Sequence, residues 1–196
     1  MKKLQLTISA LALMATSMIA QTNWAVDASH SKLGFKVTHM MVSETEGKFK
    51  IYDGKVNSKT DADFTDATIE FSVDVASVDT DDDKRDGHLK SPDFFDAEKF
   101  AKMTFKSTSM KKGKVKGTYL LIGDLTIKGV TKKVTFLATT NGKQVKDPWG
   151  KTRVGFTVKG AINRKDYGLM WNAALEAGGV AVSEMVTLES TIELMK

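Results

Sequence analysis

Apolar and polar residues take turns along most of this chain. Leu33, Phe35, Val37 and His39 share one face of residues 32–39, against Lys32, Gly34, Lys36 and Thr38 on the other. Ile69, Phe71, Val73 and Val75 oppose Thr68, Glu70, Ser72 and Asp74 in the same way. Residues 133–139 place Val134, Phe136 and Ala138 together, and residues 153–162 do so with Val154, Phe156, Val158 and Ile162. Near the C-terminus, Val186, Leu188, Ile192 and Leu194 stand opposite Thr187, Glu189, Thr191 and Glu193. A sustained period of two predicts strands with one buried and one wet face. Shorter or less regular candidates cover residues 24–27, 47–57, 103–110 and 115–127. The total is about eight or nine strands.

Turn chemistry punctuates these runs at Asp53-Gly54, Lys112-Gly113, Lys128-Gly129, Asn141-Gly142 and Trp149-Gly150. Such pairs supply the positive φ angles of tight hairpins. Strands joined mostly by hairpins form an antiparallel meander, which must close into a barrel or pack as a sandwich to bury its apolar face. Two stretches break the alternation. Residues 81–90 are polar and unpatterned, and Ser91-Pro92-Asp93 then predicts a helix start leading into Phe94-Phe95. A second helix is expected over Leu169 to Ala177. A barrel of about eight strands is wide enough either to fill with side chains or to hold one ligand. The inward positions are Phe, Val, Ile and Leu, with only His39 and Glu184 as polar candidates, and alternation alone does not separate the two outcomes.

The first twenty residues have a different character. Lys2 and Lys3 precede an apolar run that ends at Ala20, ahead of the polar Gln21-Thr22-Asn23. That layout predicts a cleavable secretory signal peptide over 1–20 and a single domain over 21–196. The run is at the short end of what an uncleaved membrane anchor needs. Without it the chain carries 27 basic and 24 acidic residues, a mild +3. Lys111, Lys112, Lys114 and Lys116 cluster around Gly113 and Gly117, as in a solvated hairpin turn, and no basic block is interleaved with aromatics. Nucleic acid is therefore not expected as a partner. Cysteine is absent, which excludes thiol nucleophiles, thiolate metal sites and redox motifs. Export without disulfides fits a bacterial periplasm.

Candidate chemistry is sparse. His30, His39 and His88 lack the spacing of metal ligands, although neighbouring strands could bring His30 and His39 together, and no metal is expected. Asp86 with His88 has the residue types of an acid–base pair. No nucleophile elbow, phosphate-binding glycine loop or His-Glu-x-x-His is present, so neither an enzyme nor a cofactor is expected.

Four motifs then occur in a telling order. Arg85-Asp86-Gly87-His88-Leu89-Lys90-Ser91-Pro92-Asp93-Phe94-Phe95-Asp96 resembles the signature of the YceI-like family of exported lipid-binding proteins. Asp27-Ala28-Ser29-His30-Ser31, with Phe35 and His39, is similar to that family's opening strands. Gly123 to Thr131 is similar to its central hairpin. Arg153-Val154-Gly155-Phe156, followed by Ile162 to Gly168 and Trp171, resembles its late strand and the segment after it. The family usually has Phe where Tyr167 stands. The resemblance spans residues 22–196 and implies an all-β, lipocalin-like, extended antiparallel eight-stranded β-barrel with one or two short helices. It further implies a periplasmic, often dimeric protein holding a polyisoprenoid or another long apolar lipid in a tunnel, as carrier or store. The tunnel-lining candidates are Phe35, Val37, Ile69, Phe71, Val73, Phe136, Phe156, Val158 and Trp171, each equally suited to ordinary core packing. His39, Arg85, Asp86 and His88 are candidates for the mouth or for a headgroup contact; a purely structural role of the Arg85–His88 loop is the other reading. The alternative for the whole chain is an envelope interaction module with a filled barrel.

Overall fold

The alternating runs become strands in a computed structural model that describes residues 21–176 and 178–196. The expected signal segment and Ala177 therefore lie outside the described residues. Strands β1 (Thr22–Val26), β2 (Lys32–His39), β3 (Ser43–Phe49), β4 (Tyr52–Ser58), β5 (Thr68–Asp74) and β6 (Val78–Asp79) precede one α-helix, α1 (Asp83–Lys90). After it come β7 (Lys102–Lys112), β8 (Thr118–Ile127), β9 (Val130–Thr140), β10 (Val145–Lys146), β11 (Thr152–Asn163) and β12 (Val182–Met195). Every pairing is antiparallel. Eight strands close a ring in the order β1-β4-β5-β7-β8-β9-β11-β12 and back to β1.

The closure uses one long edge twice. β11 follows β12 from Arg153↔Met195 to Asn163↔Met185. On its other side, β12 meets β1 only at Ala25↔Met195 and Val26↔Leu194, while Val182 to Thr191 pair with β2. The β2–β3 hairpin thus lengthens the wall beyond the ring, which is what makes the barrel extended.

Four local expectations change. The single run at 47–57 is two strands, because Ser77 breaks it: its Oγ accepts from Ile51 N at 3.0 Å and its carbonyl accepts from Lys50 N at 3.1 Å. Asp53-Gly54 accordingly is no turn; both residues sit inside β4, with Gly54 opposite Phe71. The helix also comes earlier than Pro92. Asp82 caps it by accepting from Lys84 N at 3.0 Å and Arg85 N at 2.9 Å, a geometry Asp favours. Ser91, with φ −70° and ψ 169°, is extended, as a residue before proline prefers, so this proline follows a helix and does not open one. The second expected helix is absent: Arg164–Tyr167 form a 3-10 turn ended by Gly168 at φ 78°, and residues 169–176 run irregularly.

Buried side chains form two clusters at opposite ends of the barrel. One gathers Trp24, Phe64, Tyr119, Val154, Phe156 and Leu194, and the other Phe49, Val78, Phe94, Ile127, Tyr167 and Leu169. Leu125, Val134 and Leu188 touch both.

Candidate functional site

Between the two clusters lies a cavity of about 260 Å³. All eight ring strands, together with β2 and β3, contribute to its wall. Its lining reaches from Val182 to Leu194 along β12, roughly 40 Å of strand contour at about 3.3 Å per residue. The space is therefore long and narrow, and its lining is almost wholly aliphatic and aromatic. Phe35, Val37, Ile69, Phe71, Val73, Phe136, Phe156 and Val158 all lie on it. Trp171 does not. Its indole packs outside the wall against His88 and Phe94, with ring centroids 4.9 and 5.4 Å away.

The bore depends on glycines as much as on the large residues. Phe35 faces Gly47 across β2 and β3, and Phe71 faces Gly54 across β4 and β5. Phe105 lies over Gly123, and Phe136 over Gly160. A Cβ at any of these glycines would come within 3.0 Å of a ring carbon. Each ring thus lies down on the backbone of the next strand, and the lumen keeps the space the ring would otherwise occupy.

Both ends are stoppered by residues outside the strands. Phe64, in the β4–β5 connection, is 2% exposed and meets Phe156 edge-on at 4.9 Å and Trp24 at 5.6 Å. Leu89, Phe94 and Phe95 of α1 and the turns after it cover the other end and face the cavity. Sequence reasoning missed Phe64, whose only signal was a lone aromatic in a polar stretch, Asp61 to Asp66.

The polar residues of the helix segment hold this cap in place. Buried Asp86 accepts from Thr80 N at 2.9 Å and from Thr80 Oγ1 at 2.6 Å. Arg85 donates to Thr80 Oγ1 at 2.7 Å and to its carbonyl at 2.6 Å. His88 Nε2 lies 3.1 Å from Asp93 Oδ2, and its ring stands edge-on to Phe94. None of Arg85, Asp86 and His88 lines the cavity; nor does His39, at the far end of β2 beside the turn to β3.

A charged cluster lies where β1, β11 and β12 meet. Arg153 binds Asp27 at 2.6 Å, Asp147 at 2.7 Å and Glu193 at 2.5 Å. Asp27 also accepts from Ser29 Oγ at 2.6 Å and lies 2.9 Å from His30 Nδ1. The Ser29 hydroxyl, Arg153 and His30 together hold the Asp27 carboxyl far below its usual range. Asp27, His30 and Glu193 converge closely enough to bind a metal, yet the guanidinium already supplies the cation there. His30 and His39 lie at opposite ends of β2, so they form no pair. The arrangement fastens the strand closure and touches no cavity.

Four polar residues reach the cavity wall: Thr104 on β7, Ser190 on β12, and Arg164 and Tyr167 from the 3-10 turn. Arg164 is 4% exposed and donates to the carbonyls of Leu169, Val182 and Ser183 at 2.5, 3.2 and 2.9 Å. Tyr167 is 2% exposed, and burial pushes its phenol up to about 12.

A closed antiparallel barrel around an elongated apolar space is the architecture of barrels that enclose a single ligand. The family model of the YceI-like domain matches residues 24–194, and the chain belongs to that family. A UPF0312 protein of Staphylococcus aureus (strain bovine RF122 / ET3-1) is 39% identical over 172 residues, covering 88% of this chain and 96% of its own. The crystal structure of a Campylobacter jejuni YceI protein superposes with a TM-score of 0.68 at 29% identity, over 87% of this chain and 95% of that one. Burkholderia cenocepacia BcnA shares the fold at a TM-score of 0.73 and 24% identity, over 86% and 98% of the two chains. So does a polyisoprenoid binding domain from Saccharophagus degradans, at 0.62 and 16%, over 87% and 97%.

Proposed function

We propose that this protein is an exported, non-catalytic carrier or store of one long apolar lipid, a polyisoprenoid in the first instance. The observation that carries the reading is the cavity: an elongated space whose wall is almost wholly apolar and whose ends are stoppered by Phe64 and Phe94. Each CH₂ buried there contributes about 0.8 kcal/mol, so a long chain needs few polar contacts to bind tightly. The barrel fold shared with a polyisoprenoid binding domain supports the choice of lipid. Export to the periplasm rests on the signal-like layout of residues 1–20. The non-catalytic reading rests on the polar clusters, which are saturated by their own partners and stand apart from the cavity.

Delipidated protein titrated with solanesol, a long polyisoprenoid alcohol, should bind it one to one. Phe156→Arg, which puts a charge into the cavity, should abolish uptake. Failure of the folded wild-type protein to take up solanesol or any other long-chain lipid offered would overturn the carrier reading in favour of an interaction module.

A further inference from the structure

Apart from Thr104 and Ser190 on the strands, the polar residues of the cavity wall come from one turn. Arg164 and Tyr167 come from the same 3-10 turn after β11, and both line the cavity. The Tyr167 hydroxyl is fully buried and has no hydrogen-bond partner among the described residues. The buried cluster it belongs to is apolar, with Phe49, Val73, Val75, Phe94 and Ile162 among its members. Buried hydroxyls are almost always paired, and leaving one unpaired is unfavourable. Arg164 adds a buried positive charge to the same stretch of wall. Its described bonds are to carbonyl oxygens, not to a carboxylate, and Glu184, the nearest acid on β12, is bonded instead to Lys165 at 2.6 Å and to Asn163.

We propose that Tyr167 is a hydrogen-bond donor to the ligand, so that this cavity selects an apolar chain carrying an oxygen acceptor over a plain hydrocarbon of similar girth. The proposal rests on the lipid-carrier reading and adds a chemical preference to it. A phenol held well above the physiological range stays protonated and can always donate. The positive charge of Arg164 makes the same region of the wall favourable for the partial negative charge of a carbonyl, hydroxyl or ether oxygen.

The test compares geranylgeranylacetone, an isoprenoid ketone, with squalene, an isoprenoid hydrocarbon, on wild-type protein and on Tyr167→Phe. Wild type should favour the ketone, and the variant should lose about two- to tenfold of that preference, the worth of one neutral hydrogen bond, with squalene affinity unchanged. The infrared carbonyl stretch of bound ketone should be shifted to lower frequency in wild type and should move back in Tyr167→Phe. A change in packing alone would not produce that reversal. Because the variant removes only the unpaired oxygen, the ligand-free protein should melt at the same or a higher temperature. If wild type and variant bind both compounds with the same ratio and the same carbonyl frequency, the hydroxyl is satisfied by water and the proposal fails, while the carrier reading stands. A clear drop in the ligand-free melting temperature would reveal a partner within the fold and would also overturn it. If neither compound binds, both readings fall together.

Discussion

Gly54 shows what a missing side chain does here. A Cβ at that position would press on the Phe71 ring and on the Val26 methyl from two sides. Gly54→Ala should therefore cost about 1–3 kcal/mol, the usual penalty of overpacking, measured by denaturant unfolding. It should also reduce lipid uptake, since the displaced ring has only the lumen to move into; Phe71→Leu in the same chain should restore both. Arg153 answers for the charged cluster. Arg153→Met leaves Asp27, Asp147 and Glu193 facing one another and should lower the melting temperature at neutral pH. The sign of the pH dependence follows from Asp27, whose carboxyl is depressed below its ordinary 3.8. Its contribution is complete above that value and fades as pH falls toward the folded value. The gap between wild type and variant should then narrow as melting curves are taken from pH 6 down to pH 3. Of the nine candidates, the eight carried by strands were legible as alternating apolar positions and lie on the cavity. Trp171 was not separable from them, because its position outside the wall comes from stacking on His88 and Phe94, partners distant in the chain.

Among the elements, long strands with unbroken alternation were the legible ones; β2 runs over Lys32–His39 as the pattern predicts. Breaks in parity carried information that a simple period-two reading passes over. Phe49 and Val56 are both buried but differ in parity, which places the β3–β4 bend between them. Phe105 and Met110 differ likewise, and the β7–β8 register shifts between Ser107 and Ser109. Helix α1 has no apolar stripe to reveal it. It forms because Asp82 caps its first turn and because Asp86 is anchored on Thr80. It holds Leu89 and the Phe94–Phe95 pair over one end of the cavity. Phe94→Ala should cost about 3–5 kcal/mol, as large-to-small changes of buried aromatics do. It should also speed the escape of bound lipid, followed by transfer to empty vesicles, with the far-UV signal of the barrel unchanged.

For the whole molecule, the ring of eight strands, the β2–β3 extension and the two stoppers produce one long, mostly apolar space with a polar turn on its wall. A barrel was foreseeable from the number of amphipathic strands and the hairpin turns. An open interior was not, because it depends on rings lying flat over glycines on adjacent strands, a relation set by cross-strand register. The decisive measurement is native mass spectrometry of the protein purified without detergent from cells that make it. One lipid-sized mass added per chain is expected, removed by organic extraction and restored by incubation with a long polyisoprenoid. A folded chain at its bare mass, before and after such incubation, would contradict the carrier reading.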